Sequence, residues 1–406
     1  MTRFIGVRHR VKQTAKREAR PTQVCVKKPG EKIRLITLKT EQDELDWVHG
    51  IFPISYRDAE GDEADEHPKH HIKLRAGVAR IPDAYDGLQE GDVIAMTLGG
   101  SGDYFAYAIA RIAEKKGAKF YRLPPFTLKE LRGEEGKDDD SVLLAHRIRD
   151  TPELFTPVEP RDRDIIMVRQ CQNALVDAMK ARIACEQRLH QFVIGQSFCT
   201  DESGYIEGSI QKAFEHEKAN DVILQALIKE EKVREKALTK ALWKVDVFND
   251  IFLPIEGVGP RIAGRIISSI QNIDRFETKA KLKAFAGHHV TPEGKFVRKR
   301  SGQIANWHND LRQALFLVGD QFNRRPNSFW GKKLLENKKK LRERHPEPVE
   351  MENDKGKMVK RYTDGHIHKM ALWRTQTKFL EALFRDWKRL SKGKKPLLSS
   401  IEEKAA

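Results

Sequence analysis

The residues best suited to chemistry in this sequence form a short glycine turn, Gly257-Val258-Gly259, followed directly by Pro260. Glycines permit backbone angles closed to other residues and let the main chain approach a ligand closely. Pro260 suits the first turn of a helix, where unsatisfied backbone N–H groups can receive a phosphate. The pattern therefore predicts a helix-hairpin-helix that holds nucleic-acid backbone without reading bases. The alternative is a tight turn between helices that binds nothing.

The charge of the chain points to the same class of partner. The net charge is +16, from 75 Lys and Arg against 59 Asp and Glu in 406 residues, which indicates a polyanion, most often nucleic acid. Residues 3–39 hold 12 basic and 2 acidic side chains, and residues 295–344 hold 14 and 4. Residues 41–66 reverse the sign, with 10 acids and one Arg. This segregation favours a localised anion-binding face. A solvated basic surface is the alternative.

Composition and motifs exclude several classes of protein. No apolar run approaches the roughly 18–20 residues of a membrane-spanning helix, so we expect no membrane association. Neither GxxxxGK[ST] nor GxGxxG occurs, which leaves nucleotide hydrolysis and dinucleotide binding without support. The four cysteines form no CxxC pair, which predicts reduced thiols and a cytoplasmic, nucleoid-associated protein.

Three histidine pairs raise the question of a metal site. They are His70-His71, His288-His289 and His366-x-His368. No cysteine or acid lies at the usual zinc spacing from them. We therefore expect histidines that contact solvent or phosphate.

The first 155 residues have the pattern of an α/β domain. Residues 23–27 and 32–38 predict a β-hairpin, and Thr40 predicts the N-cap of a helix with an acidic first turn. A strand at 92–98, a glycine turn, a helix at 104–116 and a strand at 118–123 then follow. This succession is a β-α-β unit, which predicts a partly parallel sheet.

From residue 161 the pattern becomes helical. Residues 161–194 lack Gly and Pro, and residues 209–248 repeat the same three-to-four spacing of apolar side chains. We expect an antiparallel coiled-coil hairpin that turns within 195–208. This hairpin either packs within the chain or forms the interface of a homo-oligomer. Near the end of the chain, 346–356 is predicted to be a flexible linker and 366–390 an amphipathic helix.

The segment around the glycine turn resembles a known family. Its motifs are 253–270, Asp274-Arg275-Phe276, 281–287 and 311–315. Their order and spacing over roughly 65 residues resemble the C-terminal domain of the insertion sequence 110 transposases, which is shared with insertion sequences 116 and 902. The layout of the chain is similar as well, with an α/β, RuvC-like domain, a coiled coil and then this domain.

The resemblance implies a DNA recombinase that a structured RNA from its own element guides to DNA. Such an enzyme acts as an oligomer, with Mg²⁺ at four carboxylates and with a serine that links covalently to DNA. Clustered carboxylates suit this chemistry because two divalent ions must be neutralised while they activate one oxygen and stabilise another.

The first two carboxylate positions of the family map poorly onto this chain. The resemblance implies an Asp on the first strand, but neither candidate strand, 4–8 or 23–27, contains an acid. It also implies a Glu after a middle strand, where this chain has Gly99. Asp103 lies four residues further on and is a candidate Mg²⁺ ligand.

The third motif of the family consists of two Asp three residues apart on a helix. Asp140 matches the second of them and is a candidate Mg²⁺ ligand and catalytic acid. The first falls on Lys137, for which Asp138 or Asp139 can substitute as catalytic acids. An acidic helix N-terminus stabilised by the helix dipole is the alternative.

The nucleophile implied by the resemblance has no counterpart at its expected position, about five residues beyond Pro292. Ser301 is the candidate, because positive charge beside it would stabilise an alkoxide and a bound phosphate. A turn residue before Gly302 is the alternative. The candidate nucleic-acid contacts are Gly257, Val258, Gly259, Arg261, Lys295, Arg298, Lys299, Arg300, Arg324 and Arg325.

These observations predict four parts of the chain. They are an α/β, RuvC-like domain at 1–155, a coiled-coil helical hairpin at 156–250, a mainly α, helix-hairpin-helix transposase domain at 251–345, and a linker with a C-terminal amphipathic helix at 346–406. The predicted function is that of an insertion-sequence transposase or recombinase that binds DNA and a guide RNA, with Mg²⁺-dependent strand exchange. One alternative is a catalytically inactive DNA- and RNA-binding descendant. A coiled-coil scaffold with incidental basic charge is another.

Overall fold

The computed structural model describes residues 2–11, 13, 18–97, 102–134, 136–199, 209–291, 296–298, 306–352 and 356–397. Tertiary contacts divide the chain into a first unit, Met1–Arg163, and a second unit, Asp164–Ala406. The finer division into four domains stays a prediction. Among the helices of these described ranges, none combines the length and the apolar character that a membrane span requires.

The first unit is a mixed α/β structure, as the sequence predicts. Its strands are β1 (Phe4–Arg8), β2 (Thr22–Lys27), β3 (Arg34–Leu38), β4 (Phe52–Asp58), β5 (Lys73–Arg75), β6 (Val78–Asp86), β7 (Val93–Thr97), β8 (Lys119–Leu123) and β9 (Thr156–Pro157). Its helices are α1 (Glu41–His49), α2 (Asp103–Lys115), α3 (Pro125–Arg132) and α4 (Asp140–Asp150).

The main sheet has the strand order β3-β2-β1-β7-β8-β9, and a smaller sheet has the order β4-β6-β5. β1 pairs antiparallel with β2 and parallel with β7, which is parallel to β8. The predicted β-hairpin and β-α-β unit are therefore confirmed. Of the two candidates for the first strand, residues 4–8 form the central strand β1, and residues 23–27 belong to its neighbour β2.

The two faces of the main sheet carry different helices. Ile5 and Val7 of β1 are fully buried in one core cluster with side chains of α1 and α2. The other face is covered by α3 and α4, whose Leu128 and Leu144 belong to a separate cluster. The start of α1 follows the sequence closely, because Thr40 and Asp43 form a reciprocal capping box.

The second unit is mainly helical. Its helices are α5 (Pro160–Cys199, which begins in the first unit), α6 (Ile210–Asn220), α7 (Val222–Leu242), α8 (Pro260–Ile270), α9 (Lys279–Phe285), α10 (Asn309–Arg324), α11 (Phe329–Arg344) and α12 (Asp364–Ser391). A π-helical turn spans Phe248–Phe252, and two strands, β10 (Val349–Glu352) and β11 (Met358–Arg361), pair antiparallel. Its largest core cluster joins α5, α7, α8, α10 and α12.

The first of the two predicted long helices, α5, ends at Cys199, within the segment 195–208 where the turn was expected. The second helix is broken at Asp221, whose Oδ1 accepts a hydrogen bond from Leu224 N at 2.6 Å and starts α7 anew. α5 runs alongside α6 and α7, with Arg182 Nε bonded to Glu231 Oε2 at 2.6 Å.

The linker predicted at 346–356 is wrong for residues 349–352, which form β10. The segment Val349-Glu350-Met351-Glu352 alternates apolar and acidic side chains, which is the period of a strand and not of a coil. The C-terminal amphipathic helix is confirmed as α12, which buries Phe379, Leu383 and Trp387.

Candidate functional site

The glycine turn connects the π-helical turn Phe248–Phe252 to α8. Gly257 has a φ of +85°, a left-handed conformation that favours glycine, and Val258 is buried in the core below it. Gly259 has a φ of −76° in extended backbone, and Pro260 takes the first helical position. Of the two glycines, therefore, only Gly257 needs the special backbone angle that the sequence suggested for both.

The space around the two glycines also differs, since only Gly257 is crowded. A Cβ atom on Gly257 would lie 2.8 Å from Arg325 Nη1, whereas one on Gly259 would meet no atom of the described chain within 4 Å. No side chain of the described residues caps α8 at Gly259. Pro260 has no N–H, and the N–H groups of Ile262 and Ala263 donate to Gly259 O, so among the described residues the backbone N–H of Arg261 is the first-turn donor left for a ligand.

Arg261 lies at this end of α8, and its side chain is held by two glutamates of α7. Its Nε and Nη2 each lie 2.7 Å from a carboxylate oxygen of Glu235, and its Nη1 lies 2.8 Å from Glu231 Oε1. The hydrogen bonds that Arg261 donates to Glu235 raise the pKa of Arg261, and they lower the pKa of Glu235. Arg261 thus joins α8 to α7, and a phosphate contact would have to compete with these bonds.

The end of α10 brings two more predicted contacts to the turn. Arg325 is half-buried against Gly257 and donates a hydrogen bond to Gln321. Arg324 pairs with Asp320 at 2.9 Å, and 68% of its side chain is exposed. Arg298 is exposed. The other predicted basic contacts and the predicted nucleophile lie outside the described residues: Lys295, Lys299, Arg300 and Ser301.

α11 extends the positive charge away from the turn. Its Lys338 Nζ lies 3.5 Å from Asn323 Oδ1 of α10, next to Arg324 in sequence. The helix contains seven basic and two acidic residues. It buries Trp330, Leu334 and Leu341, and this leaves the basic face of α11 in solvent: Lys332, Lys333, Lys339, Lys340 and Arg344.

Two aromatic contacts with α12 involve residues that precede the candidate nucleophile in the sequence, His288 and Phe296. His288 is buried and stacks on Trp373 with ring centroids 4.2 Å apart, and burial lowers its pKa to about 3. The expectation of a solvent- or phosphate-contacting histidine is therefore wrong for His288. Phe296 packs on the same Trp373 with centroids 4.7 Å apart.

The acidic side chains at the start of α4 are hydrogen-bonded to arginines or exposed to solvent. Asp140 is buried and receives two hydrogen bonds from Arg132, at 2.7 and 2.9 Å. Asp138 is exposed and accepts a bond of 2.7 Å from Arg20. Asp139 is the exposed N-cap residue of α4. No sequence motif indicated Arg132, whose role appears only when α3 and α4 come together.

Asp103 belongs to the other side of the sheet. It is the buried first residue of α2, and α2 packs on the face that carries Ile5 and Val7. Asp140 begins α4, which covers the opposite face. The structure therefore places the two predicted Mg²⁺ ligands, Asp103 and Asp140, on helices that the sheet separates.

Gly6 of the central strand has no room for a side chain. A Cβ atom on Gly6 would lie 1.9 Å from the backbone oxygen of Ser141 and 2.6 Å from Ala145 N, because α4 packs directly on β1. Two residues along, burial lowers the pKa of Arg8, and the nearby carboxylates of Asp138 and Asp140 oppose this shift. Arg8 Nε and Nη1 are buried without a hydrogen-bond partner among the described residues.

These residues do not fit the Mg²⁺ centre implied by the resemblance. The one acid that matches the family's motif is neutralised by a bidentate arginine, and a second guanidinium is buried beside it. Positive side chains thus supply the charge that divalent ions would supply at a carboxylate cluster.

In a comparison with known proteins, the matching segment lies within the second unit. No curated protein matches the chain. Residues 249–328 match the family described as Transposase IS116/IS110/IS902. The match covers about a fifth of the chain and includes the glycine turn, α8, α9 and α10. Over this domain the chain is similar to the transposases of that family, which supports a transposase function with DNA as the partner.

Proposed function

We propose that this protein is a transposase-type protein whose second unit holds the DNA backbone at the glycine turn and along the basic face of α11. The observation that carries the proposal is the match to the transposase family over 249–328, because the match includes the turn itself. The start of α8, which no described side chain caps, and the positive charge beside it support the same conclusion.

The turn can bind a phosphate in a simple way. The backbone N–H of Arg261 lies in the first turn of α8, where the helix dipole favours negative charge. Gly259 has no side chain to keep a phosphate away, and Arg324 is exposed at the end of the neighbouring helix. These contacts reach phosphates and not base edges, so the proposed binding is independent of DNA sequence.

The first unit enters the proposal as a divergent RuvC-like domain. The three antiparallel strands β3-β2-β1, followed by β7 and β8 parallel to β1, support that origin. Asp138 and Asp140 are bonded to arginines. This favours the alternative of an inactive, DNA- and RNA-binding descendant over Mg²⁺-dependent strand exchange in this unit. Strand exchange with cognate DNA that requires Mg²⁺ and is lost in Asp140→Ala would contradict this conclusion.

The salt dependence of DNA binding tests the proposal. On a random-sequence duplex, log K should fall with log[salt] by about 0.9 for each phosphate contact. The double variant Lys332→Gln, Lys339→Gln should reduce that slope by about 1.8, because both side chains are exposed and form no ion pair with another described residue. Fluorescence anisotropy at four or more salt concentrations, with EDTA present, measures the slope.

A double variant of the first unit serves as the matched control. Lys115→Gln, Lys129→Gln makes the same change of charge at two exposed lysines and should leave the slope unchanged. Equal slopes for the two double variants would show that the basic face of α11 does not contact DNA. A flat salt response of the wild-type protein would refute DNA binding as a whole.

Two further partners belong to the proposal, a structured guide RNA and a second copy of the chain. The resemblance supports the RNA, and exposed apolar side chains on α5 and α7 support the oligomer: Phe192, Phe198, Val222 and Ile223. Light scattering of the nuclease-treated protein should give a mass above that of one chain. The variant Phe198→Glu, Ile223→Glu should reduce the mass to the monomer value, and a monomeric wild-type protein would contradict the oligomer.

A further inference from the structure

Two histidines and an aspartate meet in the first unit, on elements that carry none of the candidate acids. Asp46 lies on α1, and His70 and His71 end a short 3₁₀ turn, Lys69–His71, between β4 and β5. In the sequence 24 residues separate Asp46 from His70, so no zinc-like spacing is visible there. The fold brings the three side chains together.

The ligand atoms of these residues converge on one point. Asp46 Oδ2 lies 2.8 Å from His71 Nε2 and 3.2 Å from His70 Nε2, and one ligand atom from each residue lies within 4.8 Å of the other two. Zn²⁺ holds imidazole nitrogens and carboxylate oxygens at about 2.0–2.2 Å in a tetrahedron, which places neighbouring ligand atoms about 3.3 Å apart. Both aspartate–histidine separations lie within about 0.5 Å of that spacing.

The surroundings of the cluster suit a bound ion. Gln42 Nε2 donates to the other carboxylate oxygen of Asp46 at 2.8 Å, and this hydrogen bond leaves Oδ2 to face both rings. Asp46 and His71 are each only 2% exposed, so the fold holds them in place. The side chain of His70 is 44% exposed, which leaves a path for an ion from solvent.

We propose that Asp46, His70 and His71 bind one Zn²⁺ ion, with a fourth position for water. Imidazole nitrogen with a carboxylate is a donor set that suits Zn²⁺ better than Mg²⁺ or Ca²⁺, which prefer oxygen ligands. The ion would fasten the segment that joins β4 to β5 onto α1. All three ligands belong to the first unit.

Titration of the full-length, metal-free protein with Zn²⁺ tests the site, together with Co²⁺ as a spectroscopic probe. Wild-type protein should bind one equivalent at this site and should show the visible absorption of tetrahedral Co²⁺. His70→Ala should weaken binding more than 100-fold, because the loss of a residue that only hydrogen-bonds to a metal ligand already costs roughly 10–100-fold. Zn²⁺ should raise the Tm of the wild-type protein and not that of His70→Ala.

His49→Ala is the matched control, since His49 is an exposed histidine on the same helix as Asp46. It should bind Zn²⁺ as the wild type does. Asp46→Asn is a second test that keeps a hydrogen-bonding oxygen beside both rings but removes the charged ligand, and it too should lose the Co²⁺ spectrum. Equal Zn²⁺ affinity in wild type and His70→Ala, or no Zn²⁺ binding by the wild type, would overturn the proposal.

Discussion

Gly6→Asp is expected to destabilise the first unit by more than about 3 kcal/mol and to create no metal site. Insertion into a packed core typically costs about 1–3 kcal/mol, and more where backbone must move. At Gly6 the first added atom would already lie 1.9 Å from the backbone oxygen of Ser141, so α4 must move off β1. Gly6→Ala should therefore destabilise the unit too, although it adds a single methyl group.

Hydrogen exchange of the full chain, followed by mass spectrometry, measures this effect in each unit separately. Peptides from β1 and α4 should lose protection in both Gly6 variants, whereas peptides from α8 and α10 should keep theirs. Gly136→Ala is the control, because a Cβ atom there would meet only Asp138 N, at an ordinary 4.0 Å. A Gly6→Asp protein as stable as the wild type, with new Mg²⁺ binding, would show that α4 leaves room for the family's carboxylate.

Gly259→Thr is expected to weaken DNA binding 10–100-fold while the fold stays intact. Thr and Gly are about equally good at a helix N-cap, and a side chain at this position meets no described atom of the protein. On the proposed interface, however, the added atoms would stand between the backbone N–H of Arg261 and the phosphate. A hydrogen bond to a charged group is worth about 1.5–3 kcal/mol, which corresponds to the stated loss.

Anisotropy with the same random-sequence duplex measures the loss, and circular dichroism checks the fold. Gly195→Ala, a change in α5 where a Cβ atom also meets no described atom, should bind DNA normally. Gly257→Ala is a poorer test, because its left-handed backbone makes any side chain cost about 1–2 kcal/mol. Unchanged affinity in Gly259→Thr would mean that the end of α8 does not receive a phosphate.

Much of the fold follows from local signals in the sequence. The capping box of Thr40 and Asp43, the β-α-β unit and the C-terminal amphipathic helix all rest on interactions within a few residues or on one clear period. The predictions that were wrong also concern local features. Asp221 caps a new helix in the middle of a predicted one, and Val349–Glu352 pairs as a strand where a linker was expected.

The candidate sites were predictable to different degrees. The glycine turn is a contiguous motif, so its position and the helix that starts at Pro260 could be found from spacing alone. Val258, predicted to contact nucleic acid, is instead buried in the core. Whether each arginine near the turn is free or bound in an ion pair could not be found from the sequence. Arg261 is bound by Glu231 and Glu235, which precede it by 30 and 26 residues and reach it only through the packing of α7 on α8.

The sequence by itself indicated a polyanionic partner and predicted the glycine turn and the helical or extended character of most segments, because charge, composition and period are properties of neighbouring residues. Only the tertiary structure decided which charges are free. It placed α4 on Gly6, paired Arg132 with Asp140, and brought Asp46 to His70 and His71. Each of these contacts joins separate segments of the chain, and whether a carboxylate can hold a metal depends on what the fold packs around it.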